Sequence, residues 1–275
     1  MKKLRFRYEM HLQFDAPVND HRFTLKCIPM SNQRQVIQKL ETYIYPNEML
    51  SKAEDSFGNL CIYGYTDKPH TRFDAVVSGE ALAGCLPYEP AEENYRLGRY
   101  RYPTPYTKPG PALKEYYRKF QAEYKNSKVQ IGAEGNLSKS IVLMHMLHRD
   151  ISYVQGVTTV DTTAEEALAG RRGVCQDYSH IMIALCQMAG IPARYVVGML
   201  IGEGLSHAWV EIYHDGCWYA LDPTNDLMVD DQHIKISAGR NYHDCRINQG
   251  AFRGIMVHQT QTIGVSVEEI GKLEE

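Results

Sequence analysis

The chain has 275 residues, room for one large domain or two modest ones. Hydrophobic residues make up 44% and charged residues 23%, the balance of a packed globular protein rather than a disordered chain. The net charge of -3 comes with no basic stripe, so neither nucleic acid nor an anionic membrane surface is an expected partner.

The N-terminal stretch "MKKLRFRYEMHLQFDAP" has two lysines, but Arg5, Arg7 and Glu9 interrupt the apolar run that a signal peptide needs. No signal peptide is expected. No run of about 18 apolar residues occurs, so no transmembrane helix is expected. From Leu4 to Leu12 the chain alternates, with Leu4, Phe6, Tyr8, Met10 and Leu12 on one face. "RFTLKCIPM", "KLETYIYP", "DSFGNLCIYGY" and "RFDAVVSGEAL" continue as short strands with turns between them. Residues 1–86 are therefore expected to form a β-rich, sandwich-like domain.

Residues 87–111 hold half of the 12 prolines and five tyrosines, which predicts an extended connector packed on the surface. Helical periodicity begins near 112. "ALKEYYRKFQAEYK" is one helix, started by Pro111. "NLSKSIVLMHMLHRD" is a second, and "TTAEEALAGRR" a short third with Thr162 or Thr163 as N-cap. A fourth runs from Cys175 to about Ala189 and stops at Gly190, with Pro192 just beyond. Strands follow in "ARYVVGML", "HAWVEIYH" and "CWYALDP". The tail adds "HIKISAGRNYHDC" and "GIMVHQTQTIGVSV". Helices first and antiparallel strands afterwards predict an α+β domain over 112–275.

The seven cysteines are odd in number and widely spaced, with no CxxC pair, which argues against a disulfide framework or a thiolate zinc site. A reduced, cytoplasmic protein is the expectation. Cys175 stands out because it opens a helix. Free N–H groups and partial positive charge at that end favour a thiolate and could cradle an oxyanion. Cys186 lies inside the same helix and reads as core. His180 reads as a packing residue rather than a base.

A base is expected from the hairpin "HAWVEIYHDGCWYALDP". Asp215-Gly216 suits a two-residue type I′ turn. That turn sets His214 opposite Cys217 and Trp209 opposite Asp222. His207 and Asp222 then share a face as diagonal neighbours, roughly 7–8 Å apart at the backbone. An imidazole with a carboxylate to fix its tautomer is what acyl transfer requires. His214 falls on the opposite face, so a metal site of His207, His214 and Asp222 is not expected.

The segments "GVCQDYSHIMIALCQMAGIPARYVVG", "SHAWVEIYHDGCWYALDPTN" and "SAGRNYHDC" together resemble the bacterial transglutaminase-like family, whose members are often described as cysteine proteases. The resemblance is strong over about 150–260 and extends to the N-terminal "DSFGN" turn at 55–59. It implies a papain-like transglutaminase core, with the Cys helix packed on an antiparallel sheet. It implies Cys175 as nucleophile, His207 as general base and acid, and Asp222 as orienter. The Cys175 backbone N–H would be one oxyanion donor and Tyr153 is a candidate for another. The tail motif matches at Gly239, Arg240, Tyr242 and Asp244, has Asn241 where many members have Asp, and reads as structural.

Calcium-dependent animal transglutaminases share this core, but Asp226, Asp230 and Asp231 lack a calcium-loop pattern and read as a solvated turn. No metal and no cofactor are expected. The implied activity is cysteine-dependent acyl transfer, with hydrolysis of an amide or peptide bond first. Amine transfer, and a non-catalytic peptide-binding module on the same scaffold, are the alternatives.

Overall fold

The computed structural model describes residues 1–91, 94–126 and 135–272. The first five strands are β1 (Lys2–Leu25), β2 (Gln35–Tyr45), β3 (Met49–Glu54), β4 (Leu60–Thr66) and β5 (His70–Ala83). In β1 the side chains of Leu4, Phe6, Tyr8, Met10, Leu12 and Phe14 are all buried, the period of two read from sequence. The two runs expected as separate strands are one strand. Its register shifts between Gln13 and Val18, where Pro17 lacks a backbone donor. The first half of β1 pairs with β5, and β5 pairs with β2. The second half pairs with β4, which pairs with β3. One strand thus belongs to two sheets and turns the corner between them.

The connector is partly structured. Its strand β6 (Tyr88–Pro90) adds to the second unit's sheet, and tight turns follow at Asn94–Tyr100 and Pro105–Thr107. Leu97 and Tyr100 pack on Trp218, and the Thr107 hydroxyl donates to Gln187 Oε1 at 3.1 Å.

The helices are α1 (Pro111–Asn126), α2 (Asn136–Asp150), α3 (Ala164–Gly170) and α4 (Cys175–Met188). Pro111 starts α1, but its cap comes from elsewhere: the Glu165 carboxylate accepts from the N–H groups of Gly110, Ala112 and Leu113. Thr163 caps α3 and forms a capping box with Glu166. Thr163→Ala should lower stability by about 1 kcal/mol, read as a shift of the urea midpoint at unchanged slope.

Short strands β7 (Ser152–Tyr153) and β8 (Arg172–Gly173) run parallel beside the start of α4. The main sheet of this unit comprises β9 (Ala193–Leu200), β11 (His207–His214), β12 (Cys217–Asp222), β13 (Leu227–Met228) and β14 (His233–Gly239), with β10 (Gly202–Gly204) lying outside it. Its order is β13-β12-β11-β9-β14, with β6 also on β12. Asp215 and Gly216 both have positive φ, as a type I′ turn demands, and the ladder sets His214 opposite Cys217. One sheet face, through Ala208, Val210, Ile212 and Leu221, packs with Ile181, Ile183 and Leu185 of α4 in a single core. The other face carries Trp209, Val196 and Ala220. The unit is therefore α+β, with the helix that begins at Cys175 packed on an antiparallel sheet.

The tail departs from the expected boundaries. β15 (Asn248–Arg253) pairs with the second half of β1, and β16 (Gln259–Lys272) pairs with the first half. The alternating pattern at the C-terminus marks a strand but not its partner. Its partner is β1, whose edge opposite β5 is otherwise open, so 248–272 completes the N-terminal sheets rather than the unit beginning at 112. β10 adds to the outer edge of β16.

The two units share apolar core, since Met199, Ile234 and Ile236 pack among the β1 side chains. Polar clasps add to it. Asn59 of "DSFGN" donates to the Ala238 carbonyl at 2.8 Å and accepts from its N–H at 2.7 Å. Lys26 spans Asp55 and the Asp244 carbonyl at 2.7 and 2.6 Å.

Candidate active site

Cys175 is the first residue of α4 and is half-buried. The helix start is fixed by Asp177, whose carboxylate accepts from the Val174 N–H at 2.7 Å and from the Thr158 hydroxyl at 2.7 Å. Burial pushes the Asp177 carboxyl up, against the two hydrogen bonds. The loop after β7 is tied to the same tip, because Gln176 Nε2 donates to the Val160 carbonyl at 3.0 Å.

His207 is the first residue of β11, and its Nε2 lies 2.6 Å from Asp222 Oδ2. Burial alone would lower the imidazole. The Asp222 hydrogen bond, with the neighbouring Cys175 thiol and the charges of both, overcomes it and pushes His207 up to about 10. With Nε2 engaged by Asp222, Nδ1 is the nitrogen left for the thiol. The Cys175 contact is made where the two elements begin. Along β11, the α4 core takes Ala208, Val210 and Ile212, whereas Trp209 belongs to the opposite face.

Asp222 is fully buried. Its Oδ1 accepts from the N–H groups of Thr224 and Asn225 at 3.0 and 3.2 Å, an Asx-type turn. Its Oδ2 also accepts from Asn225 Nδ2 at 2.7 Å. Burial works to raise the Asp222 carboxyl, but His207, His233 and Asn225 hold it well below the usual carboxylate range. The turn is clamped from α2: His148 Nδ1 lies 2.9 Å from the Thr224 carbonyl, and His145 Nδ1 2.6 Å from Asp226.

Three residues around Asp222 were not singled out from sequence. Asn225 was legible in hindsight, because "DPTN" places an amide three residues after the carboxylate. His233 carried no local signal: its Nε2 lies 3.5 Å from Asp222 Oδ2 and its Nδ1 3.1 Å from Asp230 Oδ1. Gly198 makes space, since a Cβ there would stand 2.2 Å from the Trp209 ring. That ring lies edge-on to His233, with centroids 5.4 Å apart.

The other sequence candidates separate. Tyr153 is half-exposed and sits beside Gly173, two residues before Cys175. His180 is fully buried, pushed down to about 3 by burial, and its Nε2 accepts from the Tyr242 N–H at 3.0 Å. Cys186 is buried in the helical core, with its thiol pushed up to about 12. His214 lies at the far end of β11 from His207, near Tyr219. Asp226, Asp230 and Asp231, expected as a solvated turn, instead pair with His145, His233 and Lys2 respectively. In the tail motif Arg240 pairs with Asp244, and Asn241 accepts from the N–H groups of His243 and Asp244.

Among the described residues, one donor group could hold a metal ion: His207, Asp222 and His233, with ligand atoms within 4.8 Å of one another. The 2.6 Å approach of His207 to Asp222 is shorter than two ligands sharing a metal at about 2.0–2.2 Å each would adopt in tetrahedral geometry. It is the distance of a charge-assisted hydrogen bond.

Residues 125–223 match the transglutaminase-like superfamily, and residues 4–81 match the bacterial transglutaminase-like N-terminal region. The chain thus carries a transglutaminase-like core and a bacterial transglutaminase-like N-terminal region. An uncharacterized protein of Mycobacterium leprae is 25% identical over 278 residues, spanning 92% of this chain and 94% of its own. One from Mycobacterium tuberculosis strain H37Rv is 27% identical over 247 residues, spanning 80% of this chain and 77% of its own. The crystal structure of a "putative cysteine protease" from Cytophaga hutchinsonii superposes with a TM-score of 0.72 at 19% identity, over 100% of this chain and 92% of that one. At that identity the likeness speaks to the fold, and it includes both units. No helix among the described residues is long and apolar enough to cross a membrane.

Proposed function

We propose that this chain is a cysteine-dependent acyl-transfer enzyme that hydrolyses an amide or peptide bond. The observation that carries the reading is His207, placed between the Asp222 carboxylate at 2.6 Å and the Cys175 thiol at the tip of α4. The thiol proton passes to His207, and Sγ attacks the amide carbonyl carbon. The oxyanion meets the Cys175 N–H, which as the first helical donor has no intrahelical partner. Tyr153, held beside Gly173, is the candidate for a second donor. Collapse breaks the C–N bond as His207 returns its proton to the leaving amine, giving a thioester. Water, deprotonated by His207, attacks the thioester and releases the acid and the thiol. Asp222 keeps the imidazole oriented and stabilises its charged form. The substrate is a peptide or other amide-bearing molecule. The seven thiols are all free, which supports a reducing, cytoplasmic location.

The test is turnover of an amide and peptide library, with and without added primary amine, followed by mass spectrometry of Cys175. Wild type should release acid and show a trapped acyl group on Cys175, while Cys175→Ala and His207→Ala should do neither. Incorporation of the amine in preference to water would make it a transglutaminase. Equal, negligible turnover by all three, with peptide binding retained, would sink the enzyme reading in favour of a binding module.

A further inference from the structure

His233 lies at the start of β14, outside the Cys175, His207 and Asp222 set, with a side chain only 1% exposed. β14 is two strands away from β11 across β9, and β12, which carries Asp222, lies beyond β11. The ring nevertheless reaches the Asp222 carboxylate, because Gly198 on β9 leaves room for the intervening Trp209 ring. Both ring nitrogens face carboxylate oxygens: Nε2 stands 3.5 Å from Asp222 Oδ2 and Nδ1 3.1 Å from Asp230 Oδ1. Carboxylates only accept, and a neutral imidazole donates through one nitrogen, so the ring serves Asp222 through Nε2, or both carboxylates when it carries its second proton. Asp230 is itself held by Gln232, whose N–H and Nε2 both donate to it at 2.9 Å. Asp222, fully buried, needs donors to remain ionised.

Resting on the function proposed above, we propose that His233 is a positioning residue for the reaction. It donates through Nε2 to Asp222, and Asp230 holds the ring in that orientation. The line Asp230, His233, Asp222, His207 would then fix the carboxylate that orients the base, from a strand on the far side of the sheet. Its counterpart on the near side is the "DPTN" turn, which supplies the remaining donors to Asp222.

Geometry supplies a discriminating pair of substitutions. Histidine Nε2 is three bonds from Cβ, as is the amide nitrogen of glutamine. Histidine Nδ1 is two bonds from Cβ, as is the amide nitrogen of asparagine. His233→Gln therefore keeps the donor to Asp222, and His233→Asn keeps only the one to Asp230.

The readout is the rate of Cys175 alkylation by iodoacetamide at pH 7, which needs no substrate, with thermal melting to verify folding. His233→Gln should stay within about threefold of wild type and His233→Asn should fall at least tenfold. In an Asp222→Asn background the two should alkylate alike. A reversed order, equal rates of the two variants in the wild-type background, or an undiminished difference in the Asp222→Asn background would overturn the proposal. Should His233→Asn not fold, Asp230→Ala, at a half-exposed site, takes its place. A severalfold loss that vanishes with Asp222→Asn supports the positioning role, and no loss rejects it. Wild type alkylating no faster than His207→Ala would instead fault the Cys175 and His207 pair, so the two failures are distinct.

Discussion

Asp222→Asn is expected to lower turnover by about 10³–10⁴-fold while leaving the fold intact. Asparagine fits the same volume and can still accept from the Thr224 and Asn225 N–H groups. It cannot hold the charged imidazole, and its amide can present hydrogen to Nε2 and force the wrong tautomer. The titration of His207 reports the cause directly. In wild type it lies near 10, against an ordinary value of 6.5, and the Asp222 hydrogen bond is the first influence raising it. NMR of the imidazole should show it falling toward 6.5 in the variant.

The same shift fixes the pH dependence of stability. His207 is raised on folding, so its contribution is fully present below pH 6.5 and is lost as pH rises toward about 10. Asp222 is lowered on folding, so its contribution is present above its ordinary 3.8 and is lost as the carboxyl protonates at lower pH. The stability gap between wild type and Asp222→Asn should therefore be widest between these two ordinary values and shrink toward pH 10. A gap that stays flat across this range, or turnover reduced less than tenfold, would show that Asp222 does not govern His207.

Glu211→Ala should cost about 3–5 kcal/mol, the largest stability effect expected of a single polar substitution here. Glu211 is buried, accepts from Arg194 Nε at 2.5 Å and pairs with Lys235 at 2.9 Å. Glu89 of the connector strand meets the same two cations at 3.3 and 2.8 Å. Arg194 also lies 4.3 Å over the Trp218 ring. The four charges balance, so removing one carboxylate leaves two sheltered cations facing a single anion. Exchanging the whole network for apolar groups need not be destabilising, whereas breaking it is. Urea unfolding of Glu211→Ala and Glu211→Gln measures this. A loss under about 1 kcal/mol would mean that water reaches the cluster and screens it.

How much could be read in advance follows the range of each interaction. The helix start at Cys175, the capping of α3 and the Asp215-Gly216 turn are set by neighbours in sequence. The His207 and Asp222 pairing followed from that turn, because a two-residue hairpin fixes register and register fixes face. By contrast, Glu165 capping α1, Asn59 clasping β14 and His148 holding the Thr224 carbonyl join residues far apart in the chain. Local composition carries no mark of them. The same holds for the final strand, whose alternation was plain while its partner was not.

Sequence alone was enough for the elements, the thiol at a helix tip, a histidine and an aspartate on one strand face, and the resemblance to transglutaminase-like proteins. Periodicity, turn chemistry and motif order all act over short spans of chain. Only the tertiary structure decided that Cys175 meets His207 where α4 and β11 begin, that β16 returns to β1, and that His233 reaches Asp222 from across the sheet. Those contacts depend on how layers stack and on which side chain yields space, as Gly198 does for Trp209. Such packing is a property of the assembled core, not of any one segment.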